Sequence, residues 1–170
     1  MLEQAVEALK RGEQPDVEKP LSGGPEVNLR IPALIPEDYL PDVFTRLTLY
    51  KRIAACRDTE ALRELQVEMI DRFGLLPQQV KHLFSVTALR QRAERIGIRK
   101  IDAGGQWGRL EFSEQTVVNP LSLVKLVQSA PNRYKLDGAI ALKFAISAET
   151  ADEKIDAVNT LLDVLAGPGS

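Results

Sequence analysis

The chain has 170 residues, 44% of them hydrophobic, with 22 basic and 24 acidic side chains, a net charge of -2 and a pI near 5.6. One ordinary core plus an appendage fits that size and a second full domain does not, while the positive excess of a general DNA-binding domain is missing. Cys56 and His82 are each the only residue of their kind, which excludes an internal disulfide and a zinc site built from sulfur and imidazole; no apolar run approaches the roughly 20 residues of a membrane span and no signal-peptide pattern follows Met1, so a soluble, cytoplasmic protein is expected.

Leu2, Ala5, Val6 and Leu9 recur at helical spacing before Gly12, predicting a short amphipathic helix over residues 2–11. The glycines and prolines of residues 12–25 read as a linker. An extended segment over residues 27–34 precedes three helices. The first starts near Pro41 or Asp42 and carries Phe44, Leu47, Tyr50 or Lys51, and Ala54 along one side. The second runs from an N-cap at Asp58 or Thr59 to a stop at Gly74, with Leu62, Leu65, Met69, Ile70 and Phe73 as its buried stripe. The third opens at Pro77 and ends near Ile96, before Gly97. Short connections make the three antiparallel neighbours.

The pattern then shifts to strands. Ile98, Lys100, Asp102 and Leu110, Phe112 alternate around Gly104-Gly105, predicting a hairpin. Asn119-Pro120 starts a helix with Leu121, Val124 and Val127 on one face. Asp137-Gly138 is a strong turn signal that sets Arg133–Leu136 antiparallel to Ala139–Ile146, with Ile140, Leu142, Phe144 and Ile146 sharing a face. Thr150 and Glu153 form a capping box for a last helix with Ile155, Val158, Leu161, Leu162 and Leu165 inward. The expected class is α+β: a three-helix N-terminal half, then a small antiparallel sheet with helices packed on it.

Catalytic chemistry has little to work with. The phosphate loop of a nucleotide motor, Gly-x-x-x-x-Gly-Lys-Ser/Thr, is missing from the chain, and Gly104-Gly105 and Gly23-Gly24 read as a turn and a linker. No catalytic, cofactor-binding or metal-binding residue is assigned. Cys56 reads as a buried, unreactive thiol whose only imidazole partner for activation is His82. Trp107 reads as a ring packed on the sheet, with exposed recognition as the other reading. Arg90, Arg92, Arg95, Arg99 and Lys100 are the densest basic stretch, either dispersed surface charge or a nucleic-acid contact. Glu60, Glu64, Glu68 and Asp71 fall within a sector about 80° wide at about 100° per residue. Like charges at that spacing repel, and Arg72, four residues after Glu68, is the visible relief. This stripe is either a solvated helix face or a docking face for a basic partner.

The run Pro32-Ala33-Leu34-Ile35-Pro36-Glu37-Asp38-Tyr39-Leu40-Pro41-Asp42-Val43, leading into Thr45-Arg46-Leu47 and Leu49-Tyr50-Lys51-Arg52-Ile53-Ala54, resembles the C-terminal domain of bacterial transcription-repair coupling factors. Glu68-Met69-Ile70-Asp71-Arg72-Phe73-Gly74-Leu75-Leu76-Pro77 is similar to a second signature of that family, with Met69 where leucine is frequent, and weaker similarity continues through Leu136-Asp137-Gly138. The resemblance implies a non-catalytic regulatory clamp within an ATP-dependent DNA translocase. Such a clamp packs on a UvrB-like N-terminal module of the same chain and covers its UvrA-recruiting surface. UvrA and RNA polymerase are then indirect partners, through the full-length protein. Glu68 and Asp71 would face that module's basic surface, with Glu64 and Glu60 beside them. Residues 1–26 are expected to be a trailing motor-lobe helix plus linker, residues 27–166 the regulatory domain, and residues 167–170 a frayed tail. No cofactor and no membrane contact is implied, and DNA binding is expected to be weak or absent. The rival expectation is an accessory nucleic-acid-binding domain using Arg90–Lys100.

Overall fold

The computed structural model describes residues 24–167. The expected helix over residues 2–11, the linker through Gly23 and the last three residues of the tail lie outside them. The described residues fall into two compact units, residues 32–88 and residues 24–31 with 89–167.

The first unit is helical. Asp42 caps α1 (Val43–Ala55) by accepting from the Thr45 backbone N–H at 2.8 Å, and Asp58 caps α2 (Thr59–Phe73) through the Ala61 N–H at 2.8 Å. Gly74, at φ 95°, closes α2, and α3 (Gln78–Ile96) follows Pro77, with its residues to Ala88 in this unit. Leu47, Leu49, Tyr50 and Ile53 of α1 are buried, as are Leu62, Leu65 and Met69 of α2. Phe44 and Ala54, which share one side of α1 with Leu47 in the sequence reading, are exposed, and so is Ile70 of the expected buried stripe of α2. On α1 the buried face is rotated to include Arg46. That guanidinium is held inside by the carbonyls of Leu40 at 2.6 Å and Pro41 at 3.0 Å, so the proline-rich run folds around it. Two other contacts fix the same run: Ile35 N–H donates to the Tyr50 hydroxyl at 2.8 Å, and the His82 Nδ1–H donates to the Pro32 carbonyl at 2.9 Å.

The second unit is built on a five-stranded sheet in the order β1 (Glu26–Asn28), β2 (Ile98–Gly104), β3 (Trp107–Phe112), β5 (Ala141–Ala145), β4 (Tyr134–Asp137). The sheet is mixed, where a wholly antiparallel one was expected: β1 pairs parallel to β2, with Val27 opposite Ile101. Three residues are too few to show a period, which hid this strand in the extended segment. The first hairpin turns on Gly105-Gln106, since Gly104 and Trp107 are paired, one residue beyond the expected position. The second turns over residues 138–140, with Gly138 at φ 72°, and leaves Ile140 exposed instead of on the core face. Ile101, Leu110 and Leu142 lie opposite one another across β2, β3 and β5 and are fully buried. Over the chain's last helix, α5 (Ala151–Ala166), Ile155, Val158, Leu161, Leu162 and Leu165 are buried as expected. Thr150 caps it through the Glu153 N–H at 3.1 Å, while the Glu153 carboxylate reaches the N–H of Glu149, one residue short of the box geometry. α4 (Pro120–Ser129) lies against β4 but fully buries none of its residues: on the predicted face Val127 is half-buried, while Leu121 is 69% exposed.

Candidate functional site

The acidic stripe lies on the outer face of α2. Glu60, Glu64 and Asp71 are exposed, and Glu68 is half-buried. Glu68 is held from two sides. Arg52 of α1 donates from Nη1 to Oε2 and from Nη2 to Oε1 at 2.8 Å, and Arg72 donates to Oε2 at 3.2 Å. Hydrogen bonds from Arg52 first, then from Arg72, hold the Glu68 carboxyl down at about 2. A carboxylate offers about four lone-pair sites, and these contacts occupy three. The site therefore consists of one carboxylate fixed in position by a two-point arginine contact and three that project freely into solvent.

Two contributors escaped the sequence. Arg52 sits sixteen residues before Glu68, on the preceding helix, and only the tertiary placement of the two helices brings them together. Val67, 53% exposed, lies about 20° outside the Glu60 end of the acidic sector at about 100° per residue, which places an apolar side chain on a charged face. Its signal was present as an apolar residue out of phase with Leu62, Leu65 and Met69. The end of α2 is held by Tyr39, whose hydroxyl donates to the Gly74 carbonyl at 3.1 Å, and whose ring meets Phe73 edge-on at 6.3 Å. Arg72 covers the other partner of that pair, 4.7 Å above the Phe73 ring. The Asp71-Arg72-Phe73-Gly74 signature thus terminates the helix and orients Arg72 toward Glu68.

Three residues of the basic stretch are already paired. Arg92 is engaged by Asp163 and by Asn159 Oδ1 at 2.8 Å, Arg99 by Glu111 at 3.5 Å, and Lys100 by Glu26 at 3.5 Å. Cys56 is half-buried just past α1, where burial pushes its thiol up and its Sγ donates to the Arg52 carbonyl at 3.3 Å. A raised thiol is a poor nucleophile at neutral pH. Trp107 is 41% exposed on the open sheet face, with the Lys135 ammonium 5.5 Å from its ring centre, so it is only partly covered. Among the described residues no group of three or more histidine, cysteine or carboxylate side chains is arranged to hold a metal, and no helix is long and apolar enough to cross a membrane.

Comparison with known proteins gives one consistent family. Residues 29–123 match the family model described as the TRCF domain. The chain is 48% identical over 144 residues to the transcription-repair-coupling factor of Escherichia coli K12, covering 85% of this chain and 12% of that protein. It is 43% identical over 166 residues to the Haemophilus influenzae protein of the same name, covering 98% and 14%, and 33% identical over 175 residues to that of Bacillus subtilis, again covering 98% and 14%. The chain therefore spans only a small part of the length of these relatives. In fold it is similar to a crystal structure of the C-terminal domain of transcription-repair coupling factor, with a TM-score of 0.69, 21% identity, and coverage of 85% of this chain and 95% of that one.

Proposed function

The chain belongs to the transcription-repair coupling factor family, and within it we propose that these residues form a non-catalytic regulatory domain, which masks the UvrA-recruiting surface of a UvrB-like module elsewhere in the same longer protein. The observation that carries this reading is the face of α2: Glu60, Glu64 and Asp71 exposed beside a pre-positioned Glu68, with Val67 at its border. Such a face suits arginines on a partner, because charge-assisted hydrogen bonds to carboxylates strengthen as the contact excludes water. Glu68 keeps an acceptor site open for a third cation, and Asp71 offers a whole carboxylate. The clamp need not be tight. Tethering gives an effective concentration of order 1 mM, so an intrinsic Kd near 10 μM keeps about 99% of molecules closed. Engagement of RNA polymerase or DNA elsewhere in the full protein opens it if the open state gains a few kcal/mol.

The test replaces Glu68 and Asp71 by alanine in the full-length protein and compares UvrA binding with the wild type at one salt concentration. At about 1.5–3 kcal/mol for each lost charged hydrogen-bonding contact, the double change exceeds the roughly 2.7 kcal/mol bias of a 99% closed population. Tighter UvrA binding by the variant is expected. Equal affinities would falsify the role of these carboxylates in masking. Circular dichroism of the same substitutions in the 170-residue chain separates loss of the clamp from loss of the fold.

A further inference from the structure

The open face of the sheet carries an arrangement that the clamp does not use. Lys135, Lys143 and Arg109 are directly opposite one another across β4, β5 and β3, a row of three cations on neighbouring strands. Directly opposed like charges destabilise a sheet, and only Arg109 is answered in full, by Asp137 at 2.8 Å and by Glu111. Trp107 flanks the row. A groove of about 560 Å³ over this face is lined by five cationic side chains and two carboxylates, in a chain whose net charge is -2. Arg30 completes it from the edge beyond β1, in the left-handed region at φ 55°, with its side chain lying across Gly104 and its guanidinium 3.6 Å from the Asp102 carboxylate. A Cβ at Gly104 would come within 2.7 Å of that side chain, so the glycine clears a path for the guanidinium. The Arg30 N–H donates to Asn28 Oδ1 at 3.2 Å, which holds the backbone at that positive φ and sets the guanidinium at the groove's edge.

We propose that this face binds single-stranded nucleic acid, with one base stacked on Trp107 and the adjacent phosphates received by Lys135, Lys143 and Arg30. A polyanion relieves the repulsion within the cation row, and an aromatic ring beside that row is the second element of a sequence-tolerant single-strand platform. Stacking displaces the Lys135 ammonium from the ring, and the phosphate next to the stacked base receives it. An acidic peptide would meet the cations but leave the ring without a role. A duplex keeps its bases stacked on one another and presents none to Trp107. The proposal does not depend on the clamp reading, which concerns α2.

Trp107 is the only tryptophan of the chain, so its emission reports on this face alone. The 170-residue chain is titrated with a short oligothymidylate at low and at physiological salt. The expected result is quenching with micromolar affinity at low salt, and a slope of log affinity against log salt near −2 for about three phosphate contacts. Lys143→Glu should weaken binding by about tenfold or more. Trp107→Ala, followed by anisotropy of a labelled oligonucleotide, should weaken it by about fivefold or more, the alanine effect typical of one stacked base. Thermal unfolding of both variants verifies that they fold, as expected for exposed positions. The proposal is overturned by the absence of quenching at low salt up to millimolar oligonucleotide, by wild-type affinity in Lys143→Glu, or by a duplex of equal length binding as tightly. Equal binding of a polyglutamate peptide overturns it too and assigns the face to an acidic protein segment.

Discussion

Arg52 on α1 donates to both carboxylate oxygens of Glu68 on α2, so the acidic face is fastened to its neighbouring helix by a planar two-point contact. The contact has a pH signature. Glu68 falls from an ordinary value of 4.5 to about 2 in the folded chain, chiefly through the Arg52 hydrogen bonds. A carboxyl depressed by folding contributes stability that is present above its unfolded pKa and lost as pH falls through the folded one. The difference in Tm between the wild type and Glu68→Gln is therefore expected to hold at neutral pH, to shrink below about pH 4.5 and to vanish near pH 2. Exposure of the pair keeps the difference small. An NMR titration of the Glu68 carboxyl carbon with a midpoint near 4.5 would contradict the arrangement.

Gly97 and Gly105 share a positive φ and differ in what surrounds them. Gly97, at φ 84°, would place a Cβ 2.3 Å from the Thr116 Cα, while nothing lies within 4 Å of the Cβ position of Gly105, at φ 68°. Gly105→Ala is expected to cost about 1 kcal/mol, the conformational term alone. Gly97→Ala adds a backbone clash in the segment where Gly97 accepts from Ser113 N–H at 2.9 Å, and is expected to cost more than about 2 kcal/mol. Urea unfolding midpoints at unchanged slope would rank the two.

Tyr50 supports the proline-rich run through one buried hydrogen bond, accepted from the Ile35 N–H at 2.8 Å. Both residues are inside the helical unit. Tyr50→Phe keeps the ring and strands the amide, and an unsatisfied buried donor costs about 1–3 kcal/mol. The expected loss of stability in that range should be accompanied by faster hydrogen exchange at Ile35. Protection unchanged at that amide would show that another acceptor takes over.

The helices were legible because their signals are local. Asp42, Asp58, Asn119 and Thr150 each accept from a backbone N–H within the first turn of the helix they cap, and Gly74 ends α2 where its chemistry predicted. The parallel strand at Val27 was not legible, since its pairing with Ile101 is a long-range fact and three residues carry no alternation. The apolar side of α4 was legible only in part: Leu121 and Val124 have helical periodicity, and periodicity does not say how much of the face β4 covers. At the acidic face the carboxylates could be read from spacing alone. Arg52 could not, because its contact with Glu68 depends on how two helices are placed in the fold. The cation row of the sheet shows the same limit, as Lys135, Lys143 and Arg109 become neighbours only once β3, β5 and β4 are in register.

Val67 offers the sharpest separation between a docking face and a solvated one. It is 53% exposed on a helix that buries Leu62, Leu65 and Met69 on its other side, so Val67→Ser should change the stability of the 170-residue chain by less than about 0.5 kcal/mol. If the acidic face closes on a UvrB-like module, the same change removes apolar surface from the interface. At about 25 cal/mol per Å² over some 50 Å², that is roughly 1 kcal/mol, or about fivefold in the Kd between the separate 170-residue chain and the separate module. The loss should be insensitive to salt, whereas the effect of Asp71→Ala should shrink as salt rises, because screening weakens exposed charge pairs and leaves apolar contacts intact. Calorimetric titrations of the two single variants at low and high salt would show both behaviours. Wild-type affinity for Val67→Ser at both salt concentrations would place Val67 outside any interface on this helix and leave the carboxylates to act alone.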